Sequence, residues 1–405
     1  MTAPTGGLPS SPVGQPIDDD NLAQTDHAPN GADGPDVVAA AGIDSADYYQ
    51  ASQSRLVWWR FRRHKVAVVA LFGLLLMYLL TLSAEFVAPY SIDTRFTSGG
   101  GQAPSTVHVI HEGQLHTPFV YATKRELSHD TFRYEHVEDT STVYPIRLFA
   151  KGDRYELLGL IPADRHLFTV GSDAPPLFLF GSDQLGRDLF SRIVYGGRVS
   201  LTIGLVGIAL GFVIGVTLGA VSGYFGGLTD TVIQRVVEFV LSLPTIPLWM
   251  VLSASLPRDW SVIKTYFFIT LILSLVSWAG LAREVRGKML ALREEDFVTS
   301  ARLVGATRRR VITVHLIPSF ASHLIVVVTL GIPGMILGET ALSFLGLGMQ
   351  PPAVSWGVLL QDAQKVVTVT EQPWLLIPAL FIVVAVLLFN FLGDGLRDAA
   401  DPYST

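Results

Sequence analysis

Nineteen consecutive residues, Val66 to Ala84, carry no charge and are apolar almost throughout. About 18 or more such residues in a helix reach across a bilayer core, a tighter constraint on a fold than any short motif. Five further uncharged runs lie within 199–229, 239–257, 265–282, 311–338 and 372–393. Each holds one helix of ~20 residues. Charged residues are 16% of the chain, against about 25% in soluble proteins. That removes the reading of 405 residues as a string of soluble domains. The expected fold class is an all-α membrane protein with six transmembrane helices.

Charge is uneven. Residues 1–54 hold eight Asp and no Glu, Lys or Arg, so of the net −6 the tail carries −8 and residues 55–405 carry +2. With six Pro and six Gly the tail lacks apolar periodicity, and such a segment cannot offset its ordering entropy. It is read as a disordered acidic cytoplasmic tail, not a signal peptide, for it has no cationic and apolar regions in series. Nothing basic enough for nucleic acid follows it. Cysteine is absent, which excludes disulfide and thiolate chemistry.

Five cations without an acid, Arg55, Arg60, Arg62, Arg63 and Lys65, precede the first run, with Trp58 and Trp59 among them. Cations flanking a span mark its cytoplasmic side and Trp suits the interface, so residues 55–88 read as a basic flank and an outward-running first helix. Residues 283–310 hold eight Lys/Arg and four acids, whereas 347–371 holds only Lys365 as a cation. Six spans then return residues 396–405 to the cytoplasm. Arg187, Arg192 and Arg198 fall outside in this scheme, near acids or the interface.

Residues 89–198 differ in kind. Thr106–Ile110 and Tyr144–Phe149 alternate, and turn signals stand at Glu112-Gly113, Lys151-Gly152-Asp153 and Pro175-Pro176. This predicts a small β-rich extracytoplasmic insertion ending in an amphipathic pre-helix, Asp183–Arg198. His108, His111 and His116 lie close in sequence, but no Cys or HExxH pattern accompanies them, and surface strand positions are the expectation; no metal, catalytic or cofactor site is assigned.

Residues 199–395 hold the other five spans. Gly207, Gly211, Gly215, Gly219 and Gly223 recur every fourth residue in the second, forming one helix ridge where another backbone approaches closely. Pro244 and Pro247 bend the third, as part of a pathway, as a hinge or as a static kink. Glu238 and Glu339 lie in or near apolar runs; Glu339 is either a contact for cargo or a buried hydrogen-bonded strut. There is no G-x-x-x-x-G-K-[ST], so the chain has no P-loop for ATP. Ser222 in Ala220-Val-Ser-Gly223 matches a serine-hydrolase turn only superficially, and nothing argues for an enzyme.

The most informative stretch is the loop 283–318. Glu294–Val304 reads as a short amphipathic helix stopped by Gly305, with a second helix leading to Pro318. Such a loop docks a partner or lies on lipid. It resembles the coupling segment of ABC-importer permeases: Ala301, Gly305 and Pro318 match the E-A-A…G…I-x-L-P pattern, while Thr299 and Ser300 replace its first Glu and Ala, and His315 and Ile317 its Ile and Leu. Gly181-Ser-Asp-Gln-Leu-Gly-Arg-Asp-Leu-Phe-Ser-Arg192, Gly223-Tyr-Phe-Gly-Gly227, Leu342-Ser-Phe-Leu-Gly-Leu-Gly348, Gln350-Pro-Pro352 and Gly393-Asp-Gly-Leu-Arg-Asp398 are similar, in order, to segments of the dipeptide/oligopeptide (peptide/nickel) permease family, C-type subunit.

The resemblance implies a type I ABC-importer permease in the inner cell membrane. Its implied partners are a homologous second permease, two cytoplasmic ATPases that hold ATP and Mg, and an extracytoplasmic substrate-binding protein. This chain would itself hold no cofactor. Cargo would be di- or oligopeptides, moved by alternating access. An ion-coupled secondary transporter, which calls for paired repeats with broken helices, and a membrane receptor with an extracytoplasmic sensor domain are the alternatives.

Overall fold

The computed structural model describes residues 53–97, 99–127, 134–171 and 174–400. The acidic tail 1–52 lies outside them, as do 401–405. The description below concerns the compact unit Val57–Pro402.

Five unbroken helices are long and apolar enough to cross a membrane: span one, Lys65–Leu82; span two, Leu189–Phe225; span four, Val262–Leu292; span five, Ala321–Phe344; span six, Pro373–Ala400. Between spans two and four lies a pair, Gly227–Ser242 and Thr245–Ala254, bent by 84°. Spans two and four run parallel, Tyr266 Oη donating to Thr202 Oγ1 (3.1 Å) near their starts and Arg293 donating to Gly223 O (3.1 Å) near their ends. The chain between them must therefore travel back, and the bent pair makes that return; taken as one span it is the sixth candidate, span three. Below, "insertion end" means the end where spans two and four begin, and "loop end" the opposite one.

Caps fix several starts. His64 Nδ1 accepts from Ala67 N (3.1 Å) at span one, and Asp188 Oδ2 from Ser191 N (2.7 Å) at span two. Of the expected amphipathic pre-helix, Asp183–Arg198, the part from Leu189 on is helical. Asp183–Asp188 is a turn, the helix begins at Leu189, and it continues unbroken through span two for 37 residues. At 1.5 Å per residue this is about 55 Å, well beyond a ~30 Å bilayer core, so one helix serves both stretches.

The insertion is a three-stranded antiparallel sheet, β1 (His108–His111), β2 (Gln114–Leu127) and β3 (Tyr134–Pro145), with two short ribbons. One pairs β4 (Arg147–Leu148) with β7 (Phe168–Thr169), the other β5 (Lys151–Leu157) with β6 (Ile161–Arg165). Glu112 and Gly113 both have positive φ (47° and 79°) between paired His111 and Gln114, the two-residue turn whose twist suits a hairpin. Lys151-Gly152-Asp153, expected as a turn, lies inside β5 instead. Gly152 is there for proximity: a Cβ would sit 2.6 Å from the His166 ring, whose Nδ1 faces Ala88 O (2.7 Å) just beyond span one.

Candidate functional site: the coupling loop and the bent span

The loop that follows span four forms a helix over Asp296–Leu303, shorter than the expected Glu294–Val304 because Glu295 and Val304 are its caps. Gly305 has φ +89°. Its N–H bonds to Arg302 O and that of Ala306 to Ala301 O, each at 3.0 Å, the paired bonds of a Schellman stop. No atom lies within 4 Å of a Cβ built there, so backbone conformation rather than space selects glycine. Val298 is fully buried against a cluster that includes Val285, Met289, Val311 and Leu316. Ala301 is half-buried beside it, while Thr299, Ser300 and Gly305 are exposed. Leu303 and Val304 are 83% and 89% exposed, an apolar pair displayed to the outside. Pro318 is exposed in a short turn, Ile317–Ser319, that follows a π-helical segment, Val311–Leu316; span five starts only at Ala321.

The end of span two holds this loop in place. Arg302 lies over the Tyr224 ring (5.3 Å) and Arg308 over Phe225 (5.8 Å). Beneath them, Arg286 of span four grips Asp230 of span three with Nε and Nη2, both at 2.5 Å. Ser222 of span two donates to the same carboxylate and accepts from Gln234 Nε2 (3.0 Å). Ser222 is thus a strut in a three-span clamp, with Asp230 as its partner. Sequence reasoning passed over Asp230 and Arg286. The usable signal was an acid placed immediately at the end of an uncharged run, which needs a partner where water is scarce.

The glycine ridge faces span four. A Cβ at Gly211 would stand 2.4 Å from Ser277 Oγ, at Gly215 2.9 Å from Trp278 O, at Gly219 2.5 Å from Ala282 O and at Gly223 2.6 Å from Met289 Cβ. Gly207 is looser, with Met335 of span five at 3.3 Å. Four of the five thus bring two backbones within one chain together, and side chains of almost any size would separate them.

The two prolines of span three act differently from each other. Leu243 is extended (ψ 134°), as a residue before proline prefers, and Pro244 caps the new helix, its C=O accepting from Leu248 N (3.1 Å). The break is there. Pro247 sits in the first turn of Thr245–Ala254, where a missing N–H costs no helical bond. Glu238 faces outward with Arg235 (2.9 Å).

Glu339 sits inside the bundle. It is fully buried and accepts from Ser343 (2.8 Å) and Ser355 (2.7 Å) at one oxygen and Ser200 (3.2 Å) at the other. Each hydroxyl in turn accepts a backbone N–H: Met349 to Ser343 (2.9 Å), Val358 to Ser355 (3.2 Å) and Trp356 to Ser200 (3.1 Å). The carboxylate therefore ties spans two and five to the helix Trp356–Gln361 that tucks back into the bundle. It is a strut.

The three arginines of the insertion end find acids. Asp183 accepts from Arg187 Nε and Arg192 Nη1, both at 2.6 Å. Arg198 spans Glu85 and also donates to Thr81 O (2.8 Å) and Leu82 O (2.5 Å), closing the end of span one. Burial works against the Glu85 charge, but Arg198 outweighs it and holds that carboxyl below its usual range. Among the described residues no cation pairs with Asp188, and burial pushes it up to about 7. In the sheet, His108 meets Glu138 (3.1 Å) and His111 meets Tyr121 Oη (2.9 Å).

Residues 215–403 match the family described as binding-protein-dependent transport system inner membrane component, and residues 52–104 the N-terminal transmembrane domain of oligopeptide transport permease C. Among curated relatives, the oligopeptide transport system permease protein OppC of Haemophilus influenzae is 43% identical over 55% of this chain and 70% of that protein. OppC of Bacillus subtilis is 36% identical over 58% of this chain and 75% of its own length. The dipeptide transport system permease protein DppC of Lactococcus lactis is 31% identical over 85% of this chain and 89% of that protein. The chain belongs to this family of multi-pass inner-membrane permeases, which are transport subunits and not enzymes.

Proposed function

We infer that this chain is the C-type permease subunit of a type I ABC importer for di- or oligopeptides. The family and the names of its relatives support the cargo class. The observation that carries the mechanism is the capped helix Asp296–Leu303, fastened to spans two and four and displaying Leu303 and Val304. An exposed apolar pair on a rigidly held helix is the kind of feature a partner groove covers. Two cytoplasmic ATPases, carrying ATP and Mg, dock here; the chain's lack of a P-loop agrees with that division of labour. The exposed apolar face of span three, including Val232, Val236 and Phe239, meets the homologous second permease. The binding protein approaches the insertion end. In this arrangement the loop end and both termini are cytoplasmic, as the cations of 55–65 and 283–310 favour.

The test is Gly305→Val in a reconstituted importer, read by peptide uptake and by ATPase pull-down. A β-branched residue at φ +89° strains the Schellman stop, so uptake falls at least tenfold while the chain stays in the membrane. Ala301→Glu acts likewise, by setting a charge against the half-buried seam. Full uptake and normal pull-down with both substitutions would make this a lipid-surface helix. Orientation is checked separately on the cysteine-free background: Thr307→Cys resists an impermeant thiol reagent in intact cells and Ser141→Cys reacts, and the reverse pattern inverts the topology.

A further inference from the structure

The β5–β6 hairpin turns on apolar residues, where a turn in water is ordinarily polar. Leu157-Leu158-Gly159-Leu160-Ile161-Pro162 has no polar side chain. Hairpin turns draw on Asn, Asp and Gly, and only Gly159, at φ +70°, fits that habit. Leu158 also has a positive φ, 54°, which is uncommon outside glycine. Leu158, Leu160 and Ile161 are 57%, 82% and 60% exposed. Phe149, exposed as well, lies against the ring of Phe86 (6.0 Å) in the short helix Ala84–Val87 that follows span one.

Two contacts with the end of span one place this hairpin. At its base, the His166 ring faces Ala88 O (2.7 Å) and Asp153 O (3.1 Å). At its turn, the Leu158 backbone lies against the Glu85 carboxylate. Glu85 precedes Ala88 by about one helical turn, so the turn of the hairpin is nearer the span than its base is. Span one, Lys65–Leu82, has 18 residues and is about 27 Å long, close to the ~30 Å of a bilayer core. Its exposed Phe72, Leu75, Leu76, Leu79 and Leu82 share one stripe, so acyl chains come up to the level of Leu82. Glu85 then stands at the headgroup border. Arg198, which pairs with it and donates to Thr81 O and Leu82 O, is at the same depth. The Tyr195 ring beside Arg198 (5.7 Å) is of the kind that settles at this border.

We propose that the turn Leu158–Ile161 is a lipid-anchoring finger. Leu158, Leu160 and Ile161 enter the border of the acyl chains in the leaflet at the insertion end, and Phe149 rests on the same surface. The partner is a lipid surface, recognised by its hydrocarbon and not by a particular headgroup. A protein docking from the aqueous side would meet the base of the hairpin before its turn. Covering the turn with acyl chains removes an apolar patch from water. It also holds the insertion to the bilayer at a point of its own, apart from the spans.

The experiment uses the assembled importer in nanodiscs, on this chain's cysteine-free background and with partner subunits stripped of cysteine. Bimane is attached at Leu160→Cys or Ile161→Cys, with Ser141→Cys, exposed in β3, as the aqueous control. Leu160 and Ile161 are exposed, so their replacement leaves the fold intact. The quenchers are a phosphatidylcholine brominated near the top of its acyl chains and aqueous iodide. At positions 160 and 161 the emission shifts to the blue, the brominated lipid quenches it and iodide does not. At position 141 the pattern is reversed. Iodide quenching at 160 and 161, with no effect of the brominated lipid, would overturn the proposal by placing the turn in water. Protection from both quenchers would overturn it in favour of a protein that covers the turn. None of these outcomes turns on the cargo, so failure here leaves the peptide reading standing.

Discussion

Spans two and three are joined through Gly226 and Gly227 yet are held in opposite ways. Span two has 19 of its 37 residues buried, glycines prominent among them. The two halves of span three bury only Val237 and Ser253. In span two, glycine removes side chains so that backbones touch, and the contact with span four continues over several turns. In span three, proline interrupts a helix held by the Asp230–Arg286 and Gln234–Ser222 contacts near its start, by Val237 packed on Trp278, Ala279 and Ala282, and by Trp249 beyond its elbow. The same polypeptide thus contains a welded seam and a loosely held, pre-bent element beside it. Low helix propensity serves both, through different physical routes: close approach in one and a missing backbone donor in the other.

The largest expected effect comes from breaking the seam. Gly219→Ala places a methyl group where Ala282 O already stands, at a cost of about 1–3 kcal/mol, and Gly219→Leu exceeds what repacking absorbs. The Leu variant yields no monodisperse protein in mild detergent. A stable, normally eluting Gly219→Leu protein would mean that the seam is not what holds the bundle. Next comes the serine knot. Glu339→Ala leaves three buried hydroxyls without their acceptor and costs about 1–3 kcal/mol or more. The expected signs are a lower thermal midpoint in detergent and protease access to 345–361; an unchanged midpoint would reassign Glu339. The smallest effect on stability is expected in span three. Pro244→Ala lets Leu243 take helical angles, with a change within about 1 kcal/mol, while peptide uptake is reduced. Unaltered uptake would show that the bend is dispensable and would weaken the contrast between the two spans.

Much of this architecture is legible in the residues. Uncharged runs locate the five unbroken candidate spans and the bent pair, and a period of four places the glycines on one face. What periodicity cannot supply is the identity of the facing surface. The ridge meets span four at Ser277, Trp278 and Ala282, more than sixty positions away. Local punctuation also has two meanings. Gly305 and Gly113 adopt positive φ as their sequences suggest, but Gly152 answers to His166 and lies within a strand. Pro244 breaks a helix and Pro247, three residues on, does not, because only the second falls inside a first turn. At the candidate site, the stop at Gly305 is visible in sequence, whereas its anchors on Tyr224, Phe225 and the Asp230–Arg286 pair come from segments brought together only by folding.

Arg198 carries a consequence for biosynthesis. The carbonyls of Thr81 and Leu82 wait for a donor that lies 116 residues beyond Leu82. At ribosomal speeds of 5–20 residues per second that is a delay of roughly 6–23 s, longer than most small β-structures need to form. The first helix is therefore closed only after everything between Glu85 and Arg198 has been synthesised and had time to fold. The same segment also meets span six, Trp374 Nε1 donating to Ser182 O (3.0 Å), so its last residues are fixed only once the final helix is in place.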